Sequence, residues 1–133
     1  MSSALPDEIR SLVVRHVDGF NKQNTEQFAS VFADSAVIID GIAPYRWLAP
    51  NAPANWLADV EKWREAFGVT HERLDYEVGF YAVEGSYGYA VLSASLSLTM
   101  KGQDFIRTGT LAYTFAKYGE SWKIDAQAWG RTS

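Results

Sequence analysis

The hydrophobic period of this chain of 133 residues changes once, at Gly68. Before it apolar residues recur at helical spacing, and after it they alternate. Helices first and strands second predict an α+β arrangement, with the helices on one face of a sheet. Pro6 before Asp7 and Glu8 reads as a helix start, because proline needs no amide partner in a first turn and acids suit the positive end of the dipole. From there Ile9, Leu12, Val13, His16, Val17 and Phe20 share one face of a helix that ends near Asn21. Thr25, with Glu26 and Gln27 behind it, opens a second helix that stops near Asp34 and turns Phe28, Val31 and Phe32 one way. Ala36 to Asp40 reads as a strand buried on both faces, and Gly41 to Pro53, with three prolines, as a loop. Trp56, Leu57, Val60, Trp63 and Phe67 mark a third helix, closed by Gly68.

Four strands follow, Thr70 to Val83, Tyr87 to Met100, Asp104 to Phe115 and Trp122 to Gly130, with turns at Gly85, Lys101-Gly102 and Gly119. Such short connections make neighbours antiparallel. In the second of these, Ala90, Leu92, Ala94, Leu96, Leu98 and Met100 alternate with Tyr89, Val91, Ser93, Ser95, Ser97 and Thr99; in the third, Leu111, Tyr113 and Phe115 alternate with Thr108, Thr110, Ala112 and Thr114. One face is greasy and needs the helices as a cover; the other, flat and rich in small hydroxyls, suits a homodimer packed sheet against sheet.

Composition removes several classes of function. With 47% hydrophobic and 14% aromatic residues the chain carries too much core material for disorder, and its length suits one domain over residues 1–133. A net charge of −4 without clustered Lys and Arg argues against a nucleic-acid partner. No apolar run is long enough for a membrane-spanning helix, so no membrane partner is expected. The first twenty residues lack the basic start and apolar centre of a secretory signal, so a cytoplasmic location is expected unless a leader was trimmed. There is no cysteine, and the two histidines, His16 and His71, have no metal-ligand spacing, so no metal is expected. A phosphate-cradling glycine loop and a Gly-x-Ser-x-Gly elbow are both missing.

The amphipathic first helix, the run Phe32-Ala33-Asp34-Ser35-Ala36-Val37, the tryptophan-bearing third helix and Gly119-Glu120-Ser121-Trp122-Lys123-Ile124 together resemble the nuclear transport factor 2-like superfamily, over essentially the whole chain. Pro44-Tyr45-Arg46-Trp47 and Ala128-Trp129 look most like uncharacterised SnoaL-like proteins, relatives of ketosteroid isomerase. The resemblance implies a cone-shaped, cystatin-like fold, three N-terminal helices on a curved and mostly antiparallel sheet, often dimeric. The segment from Val14 to Asp40 resembles the start of a ketosteroid isomerase without gaps, which puts Asp40 at the position of the general base and His16 at that of the oxyanion donor. Two departures stand out: the donor tyrosine is His16, and Gly109-Thr110-Leu111-Ala112-Tyr113 supplies no second acid. The cone-fold epoxide hydrolases carry an Arg-x-Asp pair on a strand, whereas Gly109 stands two places after Arg107, which disfavours that hydrolysis.

Two readings stay open for each candidate. Asp40 at the rim of an apolar cone is a proton-abstracting base, or it caps its own turn before Gly41. His16 meets Asp40 across the pocket as an imidazolium donor, or it is a core histidine with its bonds satisfied. Tyr45 and Trp47, on the proline-rich loop, suit a lid, and Trp56 and Tyr113 a binding wall; Trp63 and Trp122 suit core packing or a dimer contact. The activity implied is a cofactor-independent lyase or isomerase acting on a small, apolar or aromatic carbonyl compound. Its competitor is a non-catalytic module of the same fold that holds an apolar ligand or associates as a dimer.

Overall fold

The computed structural model describes residues 5–133. Helix α1 spans Asp7–Asn21, α2 Thr25–Ser30 and α3 Ala52–Phe67; the strands are β1 Phe32–Ile39, β2 Arg46–Trp47, β3 Val69–Glu84, β4 Tyr87–Met100, β5 Gln103–Tyr118 and β6 Ser121–Arg131. They form one curved sheet in the order β2-β1-β6-β5-β4-β3. Every pairing is antiparallel except β1 with β6, because the chain leaves β1 through α3 and the long hairpins before returning beside it. The α+β arrangement expected from the period switch, and the cone that the resemblance implies, are the observed architecture.

Local chemistry accounts for the helices. In α1 the stripe Ile9, Leu12, Val13, His16 and Val17 is buried, and Phe20 packs at its edge. Asn24, rather than Thr25, caps α2, accepting from the Gln27 amide at 3.1 Å. A Cβ on Gly19 would stand 2.8 Å from the Phe28 amide nitrogen, so glycine permits the close approach of α1 and α2.

Three boundaries differ from the sequence expectation. The second helix ends at Ser30, because Phe32 joins the sheet opposite Ile124 and sheet pairing overrides helical spacing. The Gly41 to Pro53 segment contains the short strand β2 and the start of α3, where Pro53 sits in the first turn and costs no hydrogen bond. Strand β1 is not buried on both faces at its end: Ile38 is fully buried while Ile39 is 47% exposed.

Candidate functional site

The helices cover the apolar face of the sheet incompletely and leave a cavity of about 360 Å³ between α1, α3 and the concave side of β3 to β6. Its walls are mostly apolar, from Phe20, Phe28, Trp56, Trp63, Leu111 and Trp129 among others; the polar side chains on it are His16, Asp40, Glu72, Arg107, Gln127 and Arg131. Strand register sets their depth. Across β5 and β6, Tyr113 faces Gln127, Leu111 faces Trp129 and Gly109 faces Arg131. Ile39 faces Ala128, so Asp40, one residue on, leaves the sheet at the level of Trp129. A Cβ on Gly109 would lie 2.9 Å from the Trp129 ring, so the bare glycine gives that indole its place.

Asp40 is half-buried at the end of β1. The Trp56 indole N–H donates to one carboxylate oxygen at 2.7 Å, and the Gly41 amide donates to the other at 2.5 Å. Burial raises the carboxyl above the ordinary aspartate range; the Gly41 amide and the Trp56 indole pull it partly back, and the Glu72 charge adds to the rise. The turn cap and the cavity position thus coexist in one side chain. Glu72 is held by the Arg64 guanidinium, which also bonds Glu61 and lies over the Phe20 ring at 5.9 Å.

His16 is 4% exposed and ringed by Phe28, Phe32 and Tyr113. Its Nδ1 lies 2.7 Å from the Tyr113 hydroxyl. That phenol is 1% exposed and has no other hydrogen-bond partner among the described residues, so its O–H donates to Nδ1 and the ring proton sits on Nε2. Burial lowers the His16 pKa to about 3 and pushes Tyr113 above the usual phenol range. The imidazolium expected from a carboxylate neighbour is therefore corrected: the partner is a phenol, and His16 is a neutral imidazole with one N–H to give.

A pH dependence of stability follows. The folded pKa of His16 lies below its unfolded value of 6.5, so the unfolded chain takes up the proton first; the contribution is complete above pH 6.5 and is lost as pH falls toward about 3. From pH 7 to pH 5 this amounts to roughly 2 kcal/mol. Asp40, with its raised folded pKa, acts in the opposite sense. Urea midpoints at the two pH values should fall on acidification in the wild type and fall less in His16→Gln; equal slopes would remove the account of a buried neutral histidine.

The other candidates separate. Trp56 lines the cavity, and its indole holds Asp40. Trp47 is buried in β2, outside the cavity, and donates to Asp59 at 2.8 Å. Tyr45 is 59% exposed with φ of 73°, also outside the cavity. Tyr113 stands behind His16, away from the cavity wall. His71 is exposed, as expected. Trp63, expected in the core or at a dimer contact, lines the cavity instead. Trp129, one of the tryptophans that suit a pocket wall by sequence, lines the cavity, whereas sequence reasoning missed Glu72 and Gln127, the latter alternating inward in step with Trp129 on β6. Gln127 is 6% exposed, and its amide bonds to no described residue. Among the described residues no group of three or more His, Asp or Glu side chains is placed to hold a metal ion, and no helix is long and apolar enough to cross a membrane.

No protein-family model and no curated protein matches the chain. Solved structures do. A ketosteroid isomerase-like protein from Erwinia carotovora atroseptica superposes with TM-score 0.80 at 13% identity, covering 96% of this chain and 95% of that one. A type 2 hexachlorocyclohexane dehydrochlorinase gives 0.77 at 13% identity over 96% and 84%. A nuclear transport factor 2-like protein of unknown function from Pseudomonas putida gives 0.65 at 18% identity over 98% and 88%. At such identities the likeness concerns architecture, and on that ground the chain has the cone fold shared by nuclear transport factor 2-like and ketosteroid isomerase-like proteins.

Proposed function

We propose that the protein is a cofactor-independent lyase or isomerase that removes a proton beside the carbonyl of a small, largely apolar compound. The observation that carries this reading is that Asp40 and His16 line the same apolar cavity. Asp40 accepts the proton from the carbon next to the carbonyl, and its raised proton affinity suits that task. The electron pair of the broken C–H bond moves onto the carbonyl oxygen, where the His16 Nε2–H donates to the developing oxyanion. Return of the proton to another carbon completes an isomerisation; loss of a leaving group from the neighbouring carbon completes an elimination. A neutral donor needs no counter-charge, so the Tyr113 bond that fixes the tautomer makes Tyr113 a positioning residue. The Gln127 amide is within the same cavity as a further donor for a polar substrate atom. Catalysts on the same fold, including the hexachlorocyclohexane dehydrochlorinase, support the class of chemistry and not the substrate.

The second reading, a non-catalytic binding module, is favoured by one observation: the Gly41 amide bonds Asp40 as in an ordinary turn cap. Exchange of solvent deuterium into the flat ketone β-tetralone separates the two, since a base and a donor in one cavity promote exchange and a mere container does not. Proton exchange indistinguishable from the buffer rate, with the ketone bound, would favour the module.

As assembly we propose a homodimer through the outer face of the sheet, where Ser93, Ser95, Ser97, Thr108, Thr110 and Thr114 offer a stripe of small hydroxyls beside the exposed Ile106 and Tyr89, with Arg73, Asp75 and Glu77 of β3 along its edge. Light scattering at micromolar concentration should return the mass of two chains; the mass of one would dismiss the dimer.

A further inference from the structure

We propose that the cavity takes a ligand with an apolar body and an anionic group, a carboxylate or sulfonate, which Arg107 and Arg131 hold together at the end away from His16. This names the substrate class of the site read above and rests on that reading for the identity of the cavity. Arg131 faces Gly109 across β5 and β6, and Arg107 precedes Gly109 by two residues, so the two arginines are diagonal neighbours on the concave face. Diagonal pairs stand about 7–8 Å apart, within reach of one shared anion. Arg10, Arg64 and Arg73 each have a side-chain carboxylate partner, whereas Arg15, Arg46, Arg107 and Arg131 have none among the described residues, and of these four Arg107 and Arg131 line the cavity. The Arg107 guanidinium is stacked on the Phe105 ring at 4.9 Å, and Arg131 donates through Nε to the Ser133 carbonyl, which leaves its terminal nitrogens.

Two like charges on one wall repel unless an anion lies between them, and an anion there gains charge-assisted, bidentate bonds from the half-buried Arg107 and from Arg131, exposed at the rim. Arg131 lies four residues along β6 from Gln127, which is about 13 Å of strand. The ligand therefore has its reactive carbonyl near His16 and its charge at the far end, with the Trp129 and Leu111 level between them.

The test compares two fluorescent probes of one shape class, anilinonaphthalene sulfonate, which is anionic, and N-phenylnaphthylamine, which is neutral. In R107Q/R131Q the sulfonate should bind at least about tenfold more weakly than in the wild type, while the neutral amine stays within about twofold. R107Q and R131Q alone should fall between, so the proposal does not hang on the double variant folding. Added salt should weaken only the sulfonate. Sulfonate affinity unmoved by these substitutions, equal losses for both probes, or no sulfonate binding by the wild type would each overturn the proposal. The anion site is read by probe affinity in the arginine variants and the proposed base by deuterium exchange in Asp40→Asn, so failure of one and failure of the other show up in different measurements.

Discussion

Asp40→Asn should lower the rate of deuterium exchange into β-tetralone by about two to four powers of ten, the range that a positioned general base supplies. Asparagine has nearly the same shape, and its side-chain oxygen still accepts from the Trp56 indole or the Gly41 amide that now bond Asp40. What it lacks is a site for the proton. In the wild type the exchange rate should rise with pH as Asp40 ionises, at a pH above the ordinary aspartate range because burial disfavours the charge. No second limb from His16 is expected near neutrality, because its pKa of about 3 keeps it neutral there. Proton NMR in heavy water reads the exchange, and quenching of tryptophan fluorescence, with Trp56, Trp63 and Trp129 on the wall, confirms that the ketone is bound. Wild-type exchange in the asparagine variant would remove the base.

Phe28→Ala should cost about 3–5 kcal/mol of stability, a large share of the 5–15 kcal/mol of a typical domain. Phe28 is 2% exposed and stacks on Trp56 at 5.1 Å between centroids, with His16 at 4.9 Å and Phe32 at 5.4 Å. Its loss opens a void that the surroundings fill poorly, because Gly19 already holds α1 close against α2. The same ring braces both site residues: Trp56 carries the indole bond to Asp40, and His16 leans on the other edge. Urea unfolding should show the loss as a lower midpoint, and Phe28→Leu should recover much of it. A change below about 1 kcal/mol would mean that the core is less tightly specified here than the packing implies.

The fold was legible because its determinants are periodic. The α1 stripe, the turn glycines and the alternation in β4 each state a local geometry, and all of them agree on helices over one sheet face. What was illegible depends on partners distant in sequence. Phe32 looks helical from its neighbours and becomes a strand only because Ile124, more than ninety residues away, pairs with it. The same holds for the site. Asp40 and His16 could be singled out as polar residues in apolar patterns, but the nature of the His16 partner could not, since Tyr113 reads from the sequence as a binding wall and becomes the partner of His16 only when β5 is laid beside α1. Tyr45 and Trp47 look like a lid from the prolines around them, yet β2 pairing with β1 fixes Trp47 toward Asp59 and leaves Tyr45 outside the cavity. Arg107 was noticed for the acid it lacks; its relation to Arg131 is a matter of strand register and has no signature in the linear sequence.

The most direct test of the central claim is a crystal structure of the protein with β-naphthol, a flat phenol that mimics the enol formed when β-tetralone loses a proton. The account predicts the naphthol oxygen about 3 Å from His16 Nε2, with the Asp40 carboxylate over the carbon beside the C–O bond. A naphthol oxygen bonded elsewhere, with Asp40 engaged only by Gly41 and Trp56 and not facing the ring, would contradict it.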